Sequence, residues 1–194
     1  MNIEQWEIDS SQSTIRFVIR HFGFSKVGGQ FARWSGRVLV PDGDFTRAAL
    51  EVEIDASSID TALADRDEHL RRADFFDVTR YPEITFTARF GRRRVEPDNG
   101  TTGAEPDGGT GRMRMSGALT IKGITRQVGI VVEQRERNRD SWGNERVAFT
   151  ATARIDRRDF GINGSALARV VVGNKVDLEI EVEAVRQPAA ARVA

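Results

Sequence analysis

Cysteine is absent from this 194-residue chain. That excludes disulfides, thiolate nucleophiles and thiolate metal sites. Histidine occurs only twice, as His21 and His69. Lysine is nearly missing: Lys26, Lys122 and Lys175 are the only three among 29 basic residues, and 29 acidic residues balance the total to zero. A chain without net charge sets up no global field to draw in nucleic acid or anionic lipid. Arg71-Arg72 and Arg92-Arg93-Arg94 lie among acids, without the coherent basic face that nucleic-acid binding requires. No apolar run approaches the length that spans a bilayer, so no integral membrane segment is expected. The first residues, Met1-Asn2-Ile3-Glu4-Gln5-Trp6, lack a basic start, an apolar stretch and a small-residue cleavage site. A secretory leader is therefore not expected, and a cytoplasmic location is. Also missing are Gly-x-Ser-x-Gly, His-Glu-x-x-His and the glycine spacing of a dinucleotide fingerprint; Gly28-Gly29 does not supply it.

What the chain has in abundance is alternation. Leu50-Glu51-Val52-Glu53-Ile54-Asp55 and Val176 to Glu183 change from apolar to acidic at every step. Such segments form strands with one greasy face and one wet face. Similar alternation marks a strand with Trp6 and Ile8, and strands over 13–20, 31–40, 84–90, 113–121, 128–132, 147–155 and 175–185. Pro41-Asp42-Gly43-Asp44 and Lys122-Gly123 have turn chemistry. One segment changes period. Ser57-Ser58 can cap a helix running through Asp60 to about Phe76, with Ile59, Leu63, Leu70 and Ala73 on one stripe and Arg66 within it. These patterns predict a single domain over 1–194, all-β with one helix: a closed antiparallel β-barrel of about eight strands. Residues 92–112, rich in Gly, Pro, Asp, Thr and Arg, read as a mobile loop insertion, and 187–194 as a frayed tail.

If the sheet closes, its apolar faces line an interior with room for one small ligand. The candidate lining is Phe17, Ile19, Trp34, Phe86, Phe90, Met113, Met115, Leu119, Phe149 and Leu178. Two methionines on one strand face give a wall that adapts to irregular shapes. His21 and His69, with Ser25, Asp67 and Asp74, fit no standard nucleophile or metal spacing, so neither a catalytic residue nor a metal ligand is assigned.

Five stretches carry a family resemblance. They are His21-Phe22-Gly23-Phe24-Ser25-Lys26-Val27-Gly28-Gly29-Gln30-Phe31, the run from Arg66-Asp67-Glu68-His69-Leu70 to Asp74-Phe75-Phe76-Asp77, Tyr81-Pro82-Glu83-Ile84-Thr85-Phe86, Gly117-Ala118-Leu119-Thr120-Ile121-Lys122-Gly123-Ile124-Thr125, and Arg157-Arg158-Asp159-Phe160-Gly161. In order and across residues 6 to 185, they resemble the YceI-like, polyisoprenoid-binding family. The resemblance implies a lipocalin-like barrel that holds an isoprenoid chain, a quinone tail or a related amphiphile, and no enzymatic activity. On this reading the protein is a non-catalytic lipid carrier that needs no cofactor. Its partner is an apolar or amphiphilic small molecule, and a homodimer is left open as its assembly state. Arg66 and His69 are the candidates to meet a polar head group. The alternative is a hydrolase or isomerase acting on a buried lipid through His21 or His69.

Overall fold

The computed structural model describes residues 2–21, 25–89, 105–107, 112–164 and 172–188, with the backbone alone for His21, 105–107 and Val172. The strands are β1 (Ile3–Ile8), β2 (Thr14–His21), β3 (Ser25–Phe31), β4 (Trp34–Pro41), β5 (Ala49–Asp55), β6 (Ile59–Asp60), β7 (Glu83–Arg89), β8 (Glu105–Asp107), β9 (Arg112–Ile121), β10 (Ile124–Arg139), β11 (Glu145–Asp156) and β12 (Val172–Arg186). All of their pairings are antiparallel. Going round the sheet, β4 pairs β5, then β7, β9, β10, β11 and β12 follow, and β12 meets both β1 and β2. A short 3₁₀ turn at Ser10–Gln12 separates β1 from β2, so the two lie end to end along β12. β3 and β4 are likewise successive parts of one stave: β3 pairs β2, and β4 pairs β1. The result is a closed barrel of eight staves with one α-helix, and closure leaves its staves without free edges.

The hairpin turns follow from their sequences. Lys122 and Gly123 both adopt positive φ (53° and 72°), the geometry whose twist matches the flanking strands β9 and β10. Asp42 and Gly43 do the same after β4 (52° and 76°).

Three expectations need correction. β3 is not among the expected strands, and Gly28-Gly29 lies within it. Gly29 is there for space: a Cβ on it would lie 2.5 Å from the Phe17 ring and 2.8 Å from Thr61 Cγ2. The helix, α1, covers only Ala64–Arg71. Asp55, not Ser57-Ser58, caps the turn there, which is a separate 3₁₀ turn at Ala56–Ser58. Of the apolar stripe only Leu70 lies within α1, where it packs against the core; Leu63 is exposed and precedes the helix. Its buried residue is Asp67, which accepts from Thr61 N (2.9 Å) and Thr61 Oγ1 (2.5 Å). Arg71 adds bonds from Nε to Ser57 O (2.7 Å) and from Nη2 to Ile59 O (2.9 Å). A helix of mostly charged residues docks here through tertiary hydrogen bonds together with the one apolar contact of Leu70. Last, part of the 92–112 segment is a strand: β8 pairs with Arg112–Arg114 of β9. The rest of that segment, and most of the 187–194 tail, lie outside the described residues.

Candidate functional site: an apolar cavity closed at one end

The inward side chains of the barrel do not fill it. They enclose a cavity with about 160 Å³ of free volume, and every described residue lining it is apolar. Alternation explains the lining. On β9, Met113, Met115 and Leu119 point in; on β12, Leu178, Ile180, Val182 and Ala184 do. Gly117 also faces in, and its missing side chain is replaced by the Phe86 ring: a Cβ there would lie 2.4 Å from Phe86 Cζ. Thus the Phe86 ring occupies the space that a side chain at position 117 would take. The engineered apolar cavity known to stay dry and admit benzene has a volume of roughly 150 Å³. The resting cavity therefore accommodates a body of about that size, and a longer chain needs side chains such as Met113 and Met115 to move or must extend towards an end of the barrel.

Of the candidate lining residues, Trp34, Phe86, Met113, Met115, Leu119, Phe149 and Leu178 border this cavity. Phe17 and Ile19 do not. Phe17 packs instead on Phe31 (5.8 Å between ring centroids), near Gly29. Phe90 lies outside the described residues. Arg66 is turned away from the cavity. Its Nε donates to Thr61 Oγ1 (2.7 Å) and its Nη2 to Thr61 O (2.6 Å), so a hydroxyl bound to Asp67, rather than a carboxylate directly, satisfies the cation. His69 is half exposed. Its Nε2 lies 3.2 Å from Asp74 Oδ2 and its ring meets the Phe75 ring edge-on at 5.0 Å. Neither Arg66 nor His69 borders the cavity. His21 ends β2, and its side chain is outside the description. Among the described residues no cluster of three or more His, Asp or Glu could hold a metal ion.

Sequence reasoning missed Phe45. It sits in the 3₁₀ turn Phe45–Arg47, where no strand period operates, yet it borders the cavity and packs on Phe149 (5.4 Å) and Trp6 (5.3 Å). This aromatic group closes one end of the barrel. Trp6 is fully buried and lies beneath a set of ion-paired side chains. Its Nε1 donates to Glu4 Oε2 (3.3 Å), and Arg186 joins Glu4 (2.8 Å) to Glu145 (3.2 Å). Arg137 and Arg139 reach the same Glu145 carboxylate at 3.2 and 2.9 Å, and the Arg137 guanidinium stands 5.6 Å above the Trp6 ring. Hydrogen bonds from Arg137 and Arg186 hold the Glu145 carboxyl below the usual carboxylate range, so this carboxylate stays ionised at neutral pH.

Fold and site together define a closed, antiparallel, lipocalin-like barrel with an apolar interior, covered by Trp6 and Phe45 at one end. The chain belongs to the YceI-like domain family, whose model matches residues 6–184. A UPF0312 protein of Vibrio cholerae is 29% identical over 188 residues, 96% of this chain and 89% of the relative. Among solved structures, BcnA of Burkholderia cenocepacia superposes with a TM-score of 0.74 at 19% identity, covering 91% of this chain and 98% of that one. A polyisoprenoid binding domain from Saccharophagus degradans, implicated in plant cell wall breakdown, gives a TM-score of 0.65 at 15% identity, covering 94% and 98%.

Proposed function

We propose that the protein is a non-catalytic carrier that holds an apolar or amphiphilic lipid, such as an isoprenoid chain or quinone tail, inside the barrel. The observation that carries this reading is the cavity wall, which offers a guest apolar contact and no hydrogen-bonding partner. A hydrocarbon chain gives up nothing on entering such a site, whereas a polar substrate loses its hydration without replacement. Burial supplies the affinity at about 25 cal/mol per Å² of apolar surface removed from water. The structural likeness to a domain described as polyisoprenoid-binding supports the same chemistry. Selectivity on this reading comes from the width and length of the bore, since a branched hydrocarbon has nothing else to recognise.

Mass spectrometry of an organic extract from purified, undenatured protein is the direct test. A stoichiometric prenyl lipid is the expected finding. Calorimetric titration with such a lipid should then show a negative heat-capacity change, the mark of apolar burial. Titration of the emptied protein with prenyl lipids of several lengths, without binding of any, would refute the reading.

A further inference from the structure

The two ends of the barrel differ in chemistry. One is shut by Trp6 under ion pairs. At the opposite end β11 runs into the 3₁₀ turn Arg157–Phe160 and β12 begins. There Arg157, Arg158, Asn163 and Asn174 line a polar recess of about 300 Å³.

The recess is built on a fixed frame. Arg157 is 4% exposed; its Nε donates to Gly173 O (2.9 Å) and its Nη1 to Ile162 O (2.6 Å), which ties the turn to the start of β12. Arg158 grips Asp156 through Nε (2.9 Å) and Nη2 (2.6 Å). That grip sets the guanidinium plane and leaves Arg158 Nη1 without a partner among the described residues. The carboxamides of Asn163 and Asn174 have none there either. Three N–H donor groups thus line the recess, and among the described residues no carboxylate belongs to its lining, although Asp156 pairs with Arg158 and Lys175 beside it. Donors so arranged suit an acceptor-rich anion, because hydrogen bonds to a charged oxygen are about twice as strong as neutral ones. The recess lies at the end of the barrel away from Trp6. Asn174 precedes the cavity-wall residue Leu178 on the same strand, roughly 13 Å away at about 3.3 Å per residue.

We propose that this recess holds the oxyanion head group, a phosphate or carboxylate, of the amphiphile whose chain occupies the barrel, with the tail pointing at Trp6. The assignment rests on the carrier reading and adds a ligand class and an orientation to it. A donor-lined recess at one end of the barrel and an apolar cavity within it suit the head group and the tail of one amphiphile.

Calorimetric titration with farnesyl phosphate and with farnesol, at one fixed salt concentration, tests it. The intact protein should bind the phosphate at least about tenfold more tightly, the gain of one hydrogen bond to a charged group. Asn163→Leu with Asn174→Leu should bring the two affinities together while leaving farnesol binding unchanged. Arg158→Ala should do the same, and the asparagine pair keeps the test independent of any effect on Asp156. Equal affinities in the intact protein, or a preference that survives both variants, would overturn the head-group site and leave the barrel reading standing. Failure of both compounds to bind the intact protein would instead overturn the barrel reading, and this assignment with it.

Discussion

Placing a carboxyl at Met115 tests the cavity and the strand register together. Met115 is 4% exposed and borders the cavity; Arg114, its neighbour on β9, lies on the exposed outer face. An aspartate side chain has an ordinary pKa of about 3.9. Deep burial without a partner raises a carboxyl by up to about 3–5 units, which places the folded-state value of Met115→Asp near 7–9. The sign follows directly. Between about pH 4 and that value the unfolded chain has lost the proton and the folded chain has kept it. Stability therefore falls as pH rises, by up to about 1.4 kcal/mol per pH unit, and the full loss approaches 4–7 kcal/mol. A domain with a total stability of about 5–15 kcal/mol survives this at pH 4 and becomes marginal at pH 8. Urea denaturation from pH 4 to 8, followed by tryptophan fluorescence, measures the slope. Met115→Asn controls for polarity: it should be destabilised evenly across the range. Arg114→Asp should stay within about 0.5 kcal/mol of the parent. A Met115→Asp profile parallel to the parent, or an equal effect at Arg114, would show that position 115 does not face a dry interior.

Three further outcomes are expected. Gly117→Ala places a methyl where Phe86 lies, so the ring must swing into the cavity; a loss of about 1–3 kcal/mol and weaker prenyl binding should appear together in melting and titration experiments. Trp6→Ala removes the plug at the covered end, and urea midpoints should report a loss of about 3–5 kcal/mol, within the range for large aromatic truncations in a core. Asp140, bonded first by Asn144 and then by Arg146, Trp142 and Asn144 backbone donors, has its pKa lowered to about 2. Because the folded value is depressed, its contribution is complete above about pH 4 and disappears as pH falls towards 2. The melting temperatures of the parent and Asp140→Asn should therefore differ at pH 6 and converge near pH 2, and a difference constant over that range would remove Asp140 from the acid sensitivity.

Much of the barrel is legible because a strand's two faces are written into every second residue. On β9 the inward set Met113, Met115 and Leu119 and the outward Arg114 follow from period alone. Seven of the candidate residues border the cavity for this reason. Where the local rule fails, a long-range contact overrides it. The strand through Gly28-Gly29 shows no apolar alternation, and Gly29 is explained only by the Phe17 ring and Thr61 that crowd it. The stripe through Leu63 and Leu70 suggests an apolar docking face, yet Asp67 is the buried residue of α1, because Thr61 supplies two hydrogen bonds to its carboxylate. Arg66 reads as a cation awaiting a head group until the same threonine satisfies it.

The sequence by itself determined the class of architecture and the polarity of its faces. Alternation, turn residues and the absence of cysteine are local properties, and they suffice to specify antiparallel strands with one apolar side. Only the tertiary structure decided which apolar side chains border open space, which fill it, and which end of the barrel is shut. Glu4, Glu145 and Arg186 come from opposite parts of the chain to close over Trp6, and Phe45 joins them from outside any strand. Their meeting depends on where β1, β11 and β12 lie when the sheet closes. Closure is a property of all eight staves at once, so no window of neighbouring residues contains it.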